Sequence, residues 1–273
     1  MANRKQRVVV DGIETVYVDI NKGVPQGTVL GPFLFSLMVN DIKPMDAQNN
    51  LLVKFADDIT TSAPVKSGSY SAEAEAESIH NWSEANQMTL NLSKTWEMVV
   101  HCGSMKPLPA PIAGINRKSW LKLLGVTFQE NPCYWDLHID DLLAKASGRM
   151  YVFRECRCYG YSADQQNKLF DSLIMSLFYC SIEVWGSALQ KKDLDRIDKF
   201  FRRAHRYGYT TNNIKISEVI EERDLKLFKK IVSNPEHVLH EFLPMCKQRI
   251  LRQREHNFNL PQIIKMERLN DPL

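Results

Sequence analysis

Residues 23–32 read Gly-Val-Pro-Gln-Gly-Thr-Val-Leu-Gly-Pro, and residues 51–61 read Leu-Leu-Val-Lys-Phe-Ala-Asp-Asp-Ile-Thr-Thr. Gly23 and Gly27 permit backbone angles that are closed to residues with a side chain, and Pro25 fixes the turn between them. We therefore predict a turn whose backbone lies flat against a ligand and from which Gln26 projects. The apolar run 33–40 that follows predicts a helix packed beneath a sheet, which would hold the turn in place.

The second segment contains the acidic pair Asp57-Asp58. The β-branched and aromatic residues on both sides predict a strand, a tight turn and a second strand. Carboxylates on a rigid hairpin can hold the divalent cations that clamp the attacking and leaving oxygens in phosphoryl transfer. We take Asp57 as the metal ligand and Asp58 as its support beside the turn. Adjacent aspartates are common on protein surfaces, but the preceding glycine-proline turn favours a catalytic interpretation here.

The order of these two segments resembles the palm of the reverse transcriptases of non-LTR (LINE-type) retrotransposons. In that family the first segment is motif B, which lies against the template base and the incoming nucleotide. The resemblance implies that Asp57 and Asp58 are catalytic and bind Mg²⁺. It also implies an RNA template, a DNA primer and deoxynucleotides as partners. The substrate-binding residues would be Gly23, Pro25, Gln26 and Gly27.

Three further segments extend the resemblance over about half of the chain. Residues 91–95, preceded by Trp82, resemble motif D, in which Lys94 would deliver a proton to the departing pyrophosphate. A solvated turn lysine is the alternative for Lys94. Residues 123–128 resemble the motif E hairpin, and residues 135–146 resemble the opening of the helical thumb.

One departure from the family concerns motif A. In the family this motif is a strand that precedes motif B and carries an aspartate, and that aspartate bridges both metals. The residues before Gly23 instead predict a β-hairpin with a two-residue turn at Asp11-Gly12. Asp19 lies inside a strand, at the wrong place in the order. We therefore expect a copy that is truncated before motif A and inactive alone. A noncatalytic nucleic-acid-binding remnant is the alternative.

These landmarks predict an α+β fold: an incomplete polymerase palm, with an antiparallel sheet and packed helices, followed by a helical thumb-like region. We divide the chain into a partial palm at 1–130, a thumb-like region at 131–210 and a helical tail at 211–273. Apolar residues at helical spacing indicate the principal helices. These are predicted at Ala72–Met88, Asp140–Tyr159, Ala163–Gln190 and Lys191–Tyr207.

The predicted helix at 191–207 has a basic stripe on one face and an apolar stripe on another. Such a helix could follow the phosphates of a template and primer duplex. A solvated amphipathic helix is the alternative, because Asp193, Asp195 and Asp198 lie nearby. The predicted nucleic-acid-binding residues are Lys199, Arg202, Arg203 and Arg206.

Composition adds limits but no function. Lys and Arg number 35 against 32 Asp and Glu, so the net charge of +3 is little evidence for nucleic-acid binding. The six cysteines have no Cys-x-x-Cys spacing, which predicts reduced thiols and no structural zinc. The N-terminus has no apolar signal-peptide core, and the uncharged stretch 172–182 is too short to span a bilayer. We expect an intracellular protein, cytoplasmic or nuclear, without a transmembrane segment.

Overall fold

The computed structural model describes residues 4–20, 27–66, 69–70, 72–103 and 107–244. The motif B residues Gly23, Pro25 and Gln26 lie outside these ranges. The chain divides into two compact units, Met1–Val99 with Ser104–Ser119, and Val100–Gly103 with Trp120–Leu273. Helices and small, mostly antiparallel sheets occur together, so the predicted α+β class is confirmed.

The described strands of the first unit are all short and occur in pairs. Strand β1 (Arg4–Gln6) pairs with β4 (Val18–Ile20), and β2 (Val9–Val10) pairs with β3 (Ile13–Glu14). Both pairs are antiparallel, which confirms the hairpin predicted at Asp11-Gly12. The φ angles of Asp11 and Gly12 are 50° and 80°, as a type I′ turn requires. The strands are β1 (Arg4–Gln6), β2 (Val9–Val10), β3 (Ile13–Glu14), β4 (Val18–Ile20), β5 (Leu51–Phe55), β6 (Asp58–Ser62), β7 (Val65–Lys66), β8 (Ser69–Tyr70), β9 (Trp96–Glu97) and β10 (Asn116–Arg117).

Two α-helices lie among the described residues of this unit. Helix α1 (Leu30–Met38) continues into a 3₁₀ turn at Val39–Asp41, and helix α2 (Ala72–Ala85) packs against β6. Helix α2 ends before the predicted Met88, because Gln87 takes a left-handed φ of 54°. The expectation that α1 lies buried beneath a sheet is wrong within the described residues, since Phe33 and Leu37 are 65% and 62% exposed.

In the described part of the second unit, an antiparallel hairpin is followed by helices. Its hydrophobic core combines aliphatic and aromatic side chains, with Phe153, Phe170, Phe178, Phe201 and Trp185 almost fully buried. The principal elements are β11 (Trp120–Leu123), β12 (Val126–Gln129), α3 (Asp136–Cys158), α4 (Ala163–Phe170), α5 (Ser176–Tyr179), α6 (Ile182–Trp185), α7 (Lys191–Arg206) and α8 (Ile216–Ser233). A short π-helical segment lies at Asp171–Met175, and 3₁₀ turns lie at Gly186–Ala188 and His240–Phe242. The first unit has a further 3₁₀ turn at Leu92–Lys94.

The predicted helix Ala163–Gln190 is wrong in its continuity. The chain leaves the helical region at Cys180, whose ψ is 108°, and Ser181 takes a left-handed φ of 52°. The break leaves a backbone carbonyl without its helical partner, and the indole of Trp185 donates to that Cys180 oxygen at 3.1 Å.

No single described helix is long and apolar enough to cross a membrane. Two helical segments joined by a bend of 41°, Ala163–Tyr179 and Ile182–Ala188, together have the length and apolar composition of a membrane span.

A buried histidine joins the hairpin of the second unit to helix α3. The backbone N–H of Thr127 donates to Nδ1 of His138 at 3.3 Å, and His138 is only 2% exposed. Its ring lies 6.1 Å from that of Trp135 and 5.2 Å from that of Trp185. Burial lowers the pKa of His138 from 6.5 to about 4, so the folded state favours the neutral imidazole.

The pKa of His138 predicts a loss of stability in mild acid. Because the folded-state pKa lies below the unfolded value, the contribution is fully present above pH 6.5 and is lost as the pH falls toward 4. Between pH 7 and pH 5 we expect this histidine to cost roughly 1–2 kcal/mol of the free energy of unfolding. Urea titrations at both pH values, with His138→Gln as the control, measure the effect. An equal pH dependence in the two proteins would contradict it.

Candidate active site

The acidic pair lies at the tip of the hairpin formed by β5 and β6. Phe55 pairs with Asp58, which leaves Ala56 and Asp57 as a two-residue turn. This confirms the strand, turn and strand predicted from the sequence. Both carboxylates are exposed. Ala56 has a φ of 50°, an uncommon angle for a residue with a Cβ, and such backbone strain is concentrated at functional sites.

Lys54 fastens this hairpin to the end of the helix that follows motif B. Its ammonium donates to the backbone oxygens of Val39 at 2.7 Å and Ile42 at 2.8 Å. These carbonyls lie where α1 and its 3₁₀ turn end, and a helix C-terminus leaves such oxygens without backbone partners. Burial, then the nearby Lys43, lowers the pKa of Lys54. The acidic turn is therefore held at a defined position relative to α1.

Helix α2 holds the loop between α1 and β5. Glu75 is fully buried, and its Oε1 accepts hydrogen bonds from the backbone of Met45 and the amide of Asn50, both at 2.7 Å. Further along the same helix, the indole of Trp82 donates a hydrogen bond to Asp41 at 3.0 Å. Glu75 escaped the sequence prediction, although its place on the apolar face of α2 was a visible signal. Polar bonds from α2 and β5 together position the acidic turn.

The bonds of Lys54 predict a local loss of stability when they are removed. Lys54→Met keeps the length of the side chain but leaves the Val39 and Ile42 carbonyls without their charged donor. We expect the first unit to lose about 1–3 kcal/mol of its free energy of unfolding. The matched control is Lys43→Met, since Lys43 is an exposed lysine on the loop between α1 and β5. Chemical denaturation measures both variants, and equal midpoints would contradict the assigned role.

Lys94 lies at the end of a short 3₁₀ turn and is exposed. The turn is closed by two bonds to the Asn91 carbonyl, from the Lys94 N–H at 2.9 Å and the Thr95 hydroxyl at 3.0 Å. Among the residues described, no hydrogen bond or ion pair joins Lys94 to Asp57 or Asp58. The role of Lys94 as a proton donor stays a prediction.

The motif E segment folds as the predicted hairpin. Leu123 pairs with Val126, and the two turn residues, Leu124 and Gly125, have φ angles of 48° and 91°. Val126 and Thr127 are buried where β12 packs against α3. The hairpin therefore belongs to the helical second unit and forms one end of its core.

The basic stripe of α7 lines a groove between α3 and α7 in the second unit. The groove has a volume of about 580 Å³, and all four stripe residues are exposed. Leu143, Ser147 and Phe200 contribute the other contacts together with Arg196, a fifth cation that the sequence prediction missed. The stripe lines the groove through Lys199, Arg202, Arg203 and Arg206.

The nearby aspartates do not all oppose this stripe. Asp193 is buried and lies 3.4 Å from Arg196, while Asp198 accepts the backbone N–H of Ile216 at 2.9 Å. Both carboxylates therefore support the helical packing. Asp195 remains exposed on α7. Arg196 also pairs with Asp140 across the groove, which partly neutralises that cation.

The first part of the chain is similar to known proteins. Residues 6–128 match the family model described as reverse transcriptase (RNA-dependent DNA polymerase). The RNA-directed DNA polymerase from mobile element jockey of Drosophila melanogaster is 28% identical over 103 residues, covering 34% of this chain and 11% of that protein. The probable RNA-directed DNA polymerase from transposon BS of the same fly is 24% identical over 199 residues, covering 67% of this chain and 22% of that protein.

The acidic turn lies within the segment that matches this family model. The predicted resemblance to the reverse transcriptases of non-LTR retrotransposons is thereby confirmed. This chain spans less than a quarter of the length of either of these curated relatives, at 11% and 22%. No solved structure matches it.

Proposed function

We propose that residues 1–130 form part of the palm of an RNA-directed DNA polymerase, which extends a DNA primer along an RNA template. Residues 131–210 are its thumb-like region, and residues 211–273 form a tail. The position of Asp57 carries the proposal: it occupies the tip of a hairpin that Lys54 fastens to the helix following motif B. The reverse transcriptase match over residues 6–128 supports the same reaction.

The donor set of the acidic turn suits magnesium. Magnesium prefers oxygen ligands, and in phosphoryl-transfer sites it is held by one or two carboxylates together with substrate phosphates and waters. Asp57 and Asp58 offer two exposed carboxylates at one turn. Among the described residues, no group of three or more His, Cys, Asp or Glu side chains is placed to hold a metal ion. We assign Asp57 as the ligand and Asp58 as its support, so substrate phosphates and waters would supply other ligands.

Each residue then has a defined task in the reaction. Bound magnesium stabilises negative charge on the reacting phosphate oxygens. Asp57 places a carboxylate at the reacting centre, and Lys54 keeps that carboxylate in register with α1. Lys94 holds a proton at Nζ for the departing pyrophosphate oxygen.

Motif B supplies the nucleotide platform in this proposal. Gly27 has a φ of 76°, and no atom lies within 4 Å of the point where a Cβ would be. A residue with a side chain is strained at that angle, so glycine allows the backbone to turn flat toward a ligand. We assign substrate binding to this turn through Gly23, Pro25, Gln26 and Gly27.

The thumb-like region contacts the duplex of template and primer through the groove of α7. Four exposed cations on one helix face offer phosphate contacts that a neutral surface lacks. Because this groove lies in the second unit and needs neither aspartate, it also favours the second candidate function, noncatalytic nucleic-acid binding. Duplex binding without synthesis would support that candidate.

Magnesium-dependent incorporation of deoxynucleotides on a primed RNA template tests the polymerase proposal. The assay uses a chimaera in which residues 6–128, the segment that matches the family model, replace the corresponding part of the jockey polymerase. Incorporation that requires Asp57 supports the proposal. Incorporation that survives Asp57→Asn contradicts the assignment of the catalytic carboxylate.

A further inference from the structure

Two helices of the second unit are each followed by the same three residues, Tyr-Gly-Tyr. Helix α3 is followed by Tyr159–Tyr161 and helix α7 by Tyr207–Tyr209, and both glycines are left-handed, with φ angles of 81° and 68°. This is the usual way for a helix to end on glycine. The hydrogen bonds correspond one to one: Gly160 N to Arg157 O at 3.0 Å, Tyr161 N to Cys156 O at 3.0 Å, Gly208 N to His205 O at 2.8 Å and Tyr209 N to Ala204 O at 3.1 Å.

The two turns lie against each other. The guanidinium of Arg157 donates to the Tyr207 carbonyl and lies 4.9 Å from the centroid of the Tyr209 ring. A Cβ on Gly208 would come within 2.9 Å of the same guanidinium, so a side chain there would require the arginine to shift. Thr211, two residues after the second turn, is joined to Asn167 of helix α4 by two hydrogen bonds of 2.8 Å.

The adjacent turns display aromatic rings to solvent. Tyr159 is 81% exposed, Tyr161 45% and Tyr207 47%. Tyr209 is half-buried and anchors the group, with its ring 5.9 Å from Tyr207 and 5.7 Å from the core residue Phe153. Exposed aromatic rings gathered at one end of a fold mark an interaction site more often than they serve stability.

Cations lie among these rings. Arg206 lies 5.5 Å from the centroid of Tyr207, and Arg157 lies beside Tyr209. We call these six residues the tyrosine surface: Tyr159, Tyr161, Tyr207, Tyr209, Arg157 and Arg206. A surface of flat exposed rings with guanidinium groups between them is suited to bases and phosphates together.

We propose that the tyrosine surface binds unpaired nucleotides of a single-stranded nucleic acid. Bases stack on the exposed rings of Tyr159 and Tyr207, and the Arg206 guanidinium contacts the intervening phosphate. Stacking is tolerant of sequence because every base has an aromatic face. The site shares Arg206 with the groove of α7, so the inference rests on the proposed nucleic-acid binding and extends it to a single strand, but it needs neither the acidic turn nor polymerase activity.

Fluorescence anisotropy of the 273-residue chain with labelled oligouridylate tests this proposal. We expect the double variant Tyr159→Leu with Tyr207→Leu to bind the single strand at least about tenfold more weakly, because two stacking partners are lost. The matched control, Tyr159→Phe with Tyr207→Phe, keeps both rings and should bind within about twofold of the unmodified chain. Both tyrosines are exposed, and circular dichroism verifies that the helices remain.

A second probe separates stacking from charge. Polyglutamate offers negative charge without bases, so it should compete poorly with the oligonucleotide. A labelled RNA–DNA duplex should be affected less by the leucine pair than the single strand is. The proposal is overturned if the chain does not bind oligouridylate, if the leucine pair binds it as well as the phenylalanine pair, or if polyglutamate competes equally.

Discussion

Changing the four stripe residues of α7 to alanine is expected to weaken binding to an RNA–DNA duplex and to flatten its salt dependence. Each phosphate contact releases counterions, so the slope of log affinity against log salt falls by nearly one for each contact removed. Loss of four contacts should reduce the slope by about 3 to 4. The variant changes Lys199, Arg202, Arg203 and Arg206, which line one groove.

The control for this variant removes the same charge from elsewhere. Four lysines lie on exposed positions outside the groove lining, three of them on α8 and one at the start of α7. Changing them to alanine should lower the affinity only modestly, because long-range attraction is weakened without loss of a direct contact. An equal slope change in the two variants would contradict a specific phosphate site. The control lysines are Lys191, Lys226, Lys229 and Lys230.

Asp57→Asn is expected to abolish deoxynucleotide incorporation by the chimaeric polymerase. The amide keeps the shape of the side chain but removes the negative charge that a divalent cation requires, and the reacting phosphate then loses its principal electrostatic support. We expect the rate to fall by at least about a hundredfold, the scale seen when one strong transition-state contact is removed. The same assay on Asp58→Asn should show a smaller loss. A larger effect at Asp58 would reverse the two assignments.

The hairpins could be predicted from the sequence because local residues alone determine them. Asp11-Gly12 is a preferred two-residue turn, and the β-branched residues around Asp57 favour extended backbone. The position of the acidic turn could not be predicted, because it depends on contacts distant in sequence. Lys54 reaches carbonyls at the end of α1, and Glu75 binds the loop between α1 and β5.

The helical second unit shows the same limit. The helical periodicity of the sequence correctly predicted the stripe on α7. The groove is also lined by α3, and the packing of α3 against α7 could not be predicted from a local sequence pattern. The break at Cys180 was missed because the residues around it are apolar and suit a helix as well as a core. Next to the left-handed Ser181, the indole of Trp185 donates a hydrogen bond to the freed Cys180 carbonyl. Tertiary contacts thus override local preference at that point.

Binding of Mn²⁺, followed by electron paramagnetic resonance with nucleotide present, tests most directly whether Asp57 is a metal ligand. Asp11→Asn is the control, because Asp11 also lies in a two-residue hairpin turn of the same unit and has a positive φ. We predict that Asp57→Asn weakens Mn²⁺ binding at least about tenfold, since one carboxylate ligand is lost, and that Asp11→Asn leaves it unchanged. Unchanged binding in Asp57→Asn, or an equal loss in both variants, would contradict the account.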